Sequence, residues 1–407
     1  MADVHLHIGL PKTGTTTIQG MLDAAAPRLA DEGVLIPGGG HRAQRTAVYD
    51  LLGQRVRGDL DEVVAGALDR LLAEVAAYDG PHVVVSEEEL SLCRPRHVRR
   101  LLRGLSGHRV FVVVGVRDLA RTLVSAWQQR IVNGGTTPWP DFIGSVRGDP
   151  TAPPREGIAF WRGHDLFRVV DTWTAYVPPD RVRLVTVPPP GADASVLLAR
   201  FCEAAALPGW TAASAPAARR NVALGAAELE AIRRMNRAVE GRLNASQHRF
   251  VIEAGIRSRL ADGGGRPLVL PAEHRAWARA QGEQLVAEVE RRGLQVVGPL
   301  TDLVPQPVGG SDARPPDAVR DDELLTATEA ALASLALDHG RLFRRYRRDV
   351  AAREGRVPGP AELLGSRVRA GGFGVGRWVL RRSDDHGLAA RLGHRYLRRL
   401  TRARRVG

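Results

Sequence analysis

Lys12 stands in the segment Gly9-Leu10-Pro11-Lys12-Thr13-Gly14-Thr15-Thr16-Thr17, whose residue types suit the capture of an anion. Two glycines permit a tight backbone path. A helix starting in the threonines presents the unpaired N–H groups of its first turn and the positive end of its dipole. Lys12 adds a full charge and the threonines add hydroxyl donors, so the loop reads as an anion site. The residue order departs from the common nucleotide loop, in which lysine directly follows the second glycine. Here Lys12 precedes Gly14. A solvated surface lysine is the competing reading, and one count weighs against it: of 58 basic residues, Lys12 is the sole lysine and 57 are arginine.

Such a loop needs a strand to deliver it and a helix to receive it. Val4-His5-Leu6-His7-Ile8 alternates with the period of a strand. Ile18, Met21, Leu22, Ala25 and Leu29 then recur at helical spacing, and Gly33 marks a stop. Continuous apolar runs at 82–85 and 110–116 predict buried strands, the first of the kind covered on both faces, and residues 182–187 read as a further strand. Helical patterns near 61–77, 95–106, 162–176 and 193–206 separate or flank them, and a mainly helical region spans about 225–293. Residues 134–160, rich in Gly, Pro and Asp, read as a long ordered loop. The alternation predicts an α/β fold of three layers around a mostly parallel sheet, opened by a P-loop-like strand-loop-helix. The Pro/Gly-rich stretch within 306–320 reads as a linker, and 321–407 as a helical, Arg-rich C-terminal extension.

The segment His7-Ile8-Gly9-Leu10-Pro11-Lys12-Thr13-Gly14-Thr15-Thr16-Thr17 resembles the 5′-phosphosulfate loop of sulfotransferases that use 3′-phosphoadenosine 5′-phosphosulfate, which has the form PKTGTT. That family holds the donor's 3′-phosphate with an Arg at the end of a later strand and a Ser eight residues on. Arg117 and Ser125 stand in that relation here. The resemblance covers most of residues 1–305, which it makes the catalytic domain. It implies that Lys12 neutralises charge on the leaving 5′-phosphate, that Thr13, Gly14, Thr15, Thr16 and Thr17 cradle that phosphate, and that Arg117 with Ser125 binds the 3′-phosphate. A loose, in-line transfer depends on such positioning and charge stabilisation more than on covalent help. The resemblance also implies a base for the acceptor hydroxyl, placed in Ser86-Glu87-Glu88. Strand alternation does not decide between Glu87 and Glu88, with Glu88 preferred. No metal is expected. The acceptor is a hydroxyl compound, with carbohydrate or glycolipid as the suggested class.

Charge and composition bound the alternatives. The chain has 407 residues with 44% hydrophobic and 25% charged residues, which places it among folded globular proteins. The formal net charge of +13 suggests a polyanionic partner until it is resolved along the chain. Residues 339–407 hold nineteen Arg against five acids, a charge of +14, so residues 1–338 carry −1. The catalytic body is nearly neutral, and nucleic acid is not the expected partner. Residues 387–406 space Leu388, Leu392, Tyr396 and Leu400 helically among arginines, as a basic amphipathic helix does, which suggests contact with an anionic membrane surface or glycan. Two cysteines, Cys93 and Cys202, form no metal spacing or disulfide framework. No signal-peptide pattern or spanning segment is apparent, so the cytoplasm, with a peripheral position at the inner membrane surface, is the expected location. Two other classes stay open: a nucleotide-dependent P-loop kinase or phosphotransferase, and a non-catalytic module binding anionic ligands or membranes.

Overall fold

In the computed structural model, residues 1–53, 61–207, 224–257, 260, 265–306 and 314–353 are described. The tail pattern at 387–406 and residues 307–313 of the expected linker lie outside them. Six strands, β1 (Asp3–His7), β2 (Val34–Leu35), β3 (His82–Ser86), β4 (Arg109–Val116), β5 (Val182–Thr186) and β6 (Gln295–Val297), form one sheet in the order β2-β3-β1-β4-β5-β6. Every pairing is parallel. Helices cover both faces, and a helical region follows at the C-terminus, so the fold is α/β.

Alternation along the strands explains the two covered faces. Val4 and Leu6 of β1, Val83 and Val85 of β3, and Val112 and Val114 of β4 enter one core, packed with Leu68, Leu101 and Trp173. Val84, Val113 and Val185 point the other way, into a core with Ile18 and Leu22 of helix α1 (Thr15–Asp31) and with Phe201. A third cluster, around Trp127, Trp139 and Phe142, is built by helices outside the sheet. The chain divides into two compact units, Met1–Leu335 and Ala336–Gly407, with the boundary inside the helix Asp321–Arg353.

Several elements differ from the sequence pattern. Residues 134–160 are largely helical, in Trp139–Arg147 and Pro154–His164. Their prolines occupy the first turn, where a missing N–H costs nothing, so a composition that suggests a loop starts helices instead. Helix α2 (His41–Leu52) forms in a polar, Gly- and Arg-rich stretch, residues 38–58, to which the sequence pattern assigns no element. The helix expected at 162–176 is interrupted at Asp165, whose carboxylate accepts from the Arg168 N–H and caps a new helix, Leu166–Thr174.

The strand order fixes where a ligand can sit. From β1 the chain moves to β2 and β3 on one side, whereas from β4 it moves to β5 on the other. The carboxyl ends of β1 and β4 are therefore the switch point, where the two connections part and leave a crevice.

Candidate anion-binding site

The loop after β1 stays tied to β4 before it turns. The Ile8 N–H donates to the Val113 carbonyl (2.9 Å) and the Leu10 N–H to the Gly115 carbonyl (2.9 Å). Gly115 is small for a reason: a Cβ there would lie 2.7 Å from Thr13 Oγ1. The Thr13 hydroxyl is itself engaged, donating to the Leu10 carbonyl at 2.6 Å, so this buried side chain closes the loop. Lys12 adopts φ 69°, a left-handed conformation rare outside glycine, and Gly14 follows at φ 86°. Gly14 caps α1 without any side-chain hydrogen bond, and its carbonyl accepts from the Thr17 N–H at 2.9 Å. The N–H groups of Thr15 and Thr16 belong to the first turn of α1, which no preceding helical carbonyl serves. Thr16 is exposed, Thr17 half-buried, and the Thr15 hydroxyl is buried with no hydrogen-bond partner among the described residues.

Arg117 reaches this loop from the end of β4. Its Nη1 donates to the Lys12 carbonyl (3.1 Å) and to Ser125 Oγ (3.3 Å), and its Nε is buried without a partner. The adjacent Asp118 cannot serve it, because that carboxylate caps the helix Leu119–Val132 and pairs with Arg121. Among the described residues Arg117 has no ion pair, and burial, aided by the nearby Arg121 charge, pulls its pKa down to about 10. A half-buried guanidinium without a carboxylate is costly unless an anion completes it. The spacing of eight places Ser125 two helical turns beyond Arg117, facing back to it.

Gln129 was not visible as a site residue from sequence. It lies four residues after Ser125, on the same helix face, and its Oε1 accepts from Lys12 Nζ at 3.0 Å. Gln129 thereby holds the lysine on the side of the loop where Arg117 and Ser125 sit. Arg117 and Ser125 also line a cavity of about 620 Å³ together with Arg121, Arg275 and Arg279. No acidic residue lines it among the described residues, and Leu224 and Leu270 contribute to an apolar wall.

Glu87 and Glu88, side by side in sequence, have different surroundings. Glu87 is 1% exposed, its N–H donates to the His7 carbonyl (3.0 Å), and its Oε2 accepts from Arg45 Nε of α2 (3.3 Å). Burial pushes its carboxyl up to about 7, against the pull of Arg45. Glu88 is half-buried and lies against the loop: a Cβ at Gly9 would come within 3.2 Å of the Glu88 Cβ and 3.0 Å of Thr15 Oγ1. Beneath them His7 Nδ1 shares a hydrogen bond with Ser86 Oγ (2.8 Å), while Gln19 and Gln44 bind the Ser86 backbone. Burial holds His7 and His5 neutral, each with a pKa lowered to about 4.

These shifts have opposite signs for stability. The folded state retains the Glu87 proton to about pH 7, whereas the unfolded chain releases it near 4.5. Its contribution is therefore full below 4.5 and lost as pH rises through 7. The histidines contribute fully above 6.5, and that contribution is lost as pH falls towards 4. Glu87→Gln should remove only the first effect. Relative to that variant, the parent should lose on the order of 2–3 kcal/mol between pH 5 and 8 in urea titrations. A constant difference across that range would show that Glu87 does not titrate there.

Among the described residues no group of three or more His, Cys, Asp or Glu side chains is placed to hold a metal ion. Comparison with known proteins yields no matching family model, no matching curated protein and no matching solved structure.

Proposed function

We propose that the chain is a sulfotransferase, moving a sulfuryl group from 3′-phosphoadenosine 5′-phosphosulfate to a hydroxyl acceptor. The observation that carries this reading is the meeting of two anion-seeking groups at one switch point. The Lys12 loop stands on β1, and Arg117, held by Ser125 and without an ion pair among the described residues, stands on β4. A ligand with two separated anionic groups matches that pair better than a single phosphate does. The residues also fit a nucleoside: the cavity beside Arg117 is cationic on one part and apolar on another. The buried, unpartnered Thr15 hydroxyl and Arg117 Nε are donors that such a ligand would satisfy.

The donor supplies an activated sulfuryl group on a phosphate leaving group. In this proposal the Thr15 and Thr16 N–H groups and the Lys12 ammonium stabilise the charge that grows on the leaving oxygen. Arg117 and Ser125 hold the 3′-phosphate. Glu88 takes the proton from the acceptor hydroxyl, since a base must first be reachable and Glu88 borders the loop at Gly9. Glu87, enclosed and held by Arg45, positions the turn that carries Glu88. Carbohydrate or glycolipid is the proposed acceptor class. The cytoplasm is the proposed location, in keeping with two free buried thiols, Cys93 and Cys202, that burial pushes up to about 12 and 11.

The test is mass spectrometry of glycans and lipids from cells with the active protein and with its Lys12→Ala variant. A sulfated species present only with the active protein is the expected result. Identical profiles, with no donor turnover by the purified protein, would reject the reading.

A further inference from the structure

We infer that the end of the helix Asp321–Arg353 is a docking surface for an anionic lipid bilayer, on which it lies flat. This goes beyond sulfuryl transfer and does not rest on it. The helix changes sign along its length: residues 321–340 carry five acids and no Arg or Lys, whereas residues 341–353 carry six Arg and one Asp. The helix dipole explains that ordering of charge, because acids suit the N-terminal end and cations the C-terminal end. It does not explain the large apolar side chains set among the arginines. Leu342 is 42% exposed, Phe343 58% and Tyr346 65%. A merely solvated basic helix has no use for them.

Their angular placement is that of an interfacial helix. At about 100° per residue, Leu342, Phe343 and Tyr346 fall within an arc of roughly 100°. Arg341, Arg344 and Arg348 occupy the opposite face, Arg345 and Arg347 flank the apolar arc on either side, and further along the helix Val350 and Arg353 fall within the arc and Asp349 at its edge. In that position arginine stems can lie along the acyl boundary with their guanidinium groups at lipid phosphates. Nucleic acid would engage the charge but leave Leu342 and Phe343 in water, so a lipid surface accounts for both faces. No helix among the described residues is long and apolar enough to cross a membrane, and this one binds along its length instead.

The test is co-sedimentation of the full chain with vesicles of phosphatidylcholine alone or mixed with phosphatidylglycerol, at low and high salt. The parent should bind only the mixed vesicles, and less at high salt. The variants F343S/Y346S and R344Q/R348Q, all at exposed positions, should each lower the partition coefficient roughly tenfold. Failure to bind anionic vesicles would overturn the inference. So would binding unchanged in both variants, which would assign the contact to other basic residues, or displacement of the vesicles by duplex RNA.

Discussion

Replacing Lys12 with Ala should lower the rate of the proposed sulfuryl transfer by about 10²–10³ while leaving the circular dichroism spectrum unchanged. The fold should tolerate the change because the strain at this position resides in the backbone, at φ 69°, which Ala adopts no less readily than Lys. The ammonium donates to a neutral amide, Gln129 Oε1, and that bond positions a charge without cancelling it. Single-turnover rates separate the roles. An interaction made only in the transition state lowers the chemical step with little change in donor affinity, whereas a ground-state contact weakens both. Gln129→Ala, which removes one contact that places the lysine, should cost less than Lys12→Ala and more in rate than in affinity. Full activity in Lys12→Ala would remove this residue from the mechanism.

Arg117→Met should produce the second large effect, and its two halves point in opposite directions. Affinity for adenosine 3′,5′-bisphosphate should fall by about 10–100-fold, the worth of hydrogen bonds to a charged group, while affinity for the 5′-monophosphate stays nearly level. Stability without ligand should hold or rise, because the variant removes a half-buried charge that has no carboxylate beside it among the described residues. An ordinary structural arginine behaves otherwise: Arg200, paired with Asp302 at 2.6 Å, should destabilise the fold when truncated. Loss of stability in Arg117→Met with unchanged bisphosphate binding would make Arg117 a structural residue.

The parts of this arrangement that sequence makes legible are those written in local periodicity. The alternation at Val4–Ile8 followed by the helical spacing from Ile18 leaves little choice about a strand, a loop and a helix around Lys12. The unbroken run Val110–Val116 places Arg117 at a strand end. What sequence does not show depends on distant partners. Glu87 and Glu88 are indistinguishable in a string, and they part because the fold encloses Glu87, which Arg45 of α2 reaches across 42 residues, and leaves Glu88 half-buried. Gln129 is one more helix glutamine until Lys12 is seen to touch it. The edge strands Val34–Leu35 and Gln295–Val297 are too short to generate a pattern. Prolines at 140 and 154 mislead because their meaning depends on whether they begin a helix or break one.

In the proposed function the crevice between β1 and β4 binds a nucleotide carrying anionic groups at both its 3′ and 5′ positions. Isothermal calorimetry of the purified protein with adenosine 3′,5′-bisphosphate, alongside ATP with magnesium, tests it most directly. Micromolar binding of the bisphosphate without added metal, and much weaker binding of ATP, is the expected result. No binding of the bisphosphate, or a magnesium-dependent preference for ATP, would contradict it and turn the site towards phosphoryl transfer.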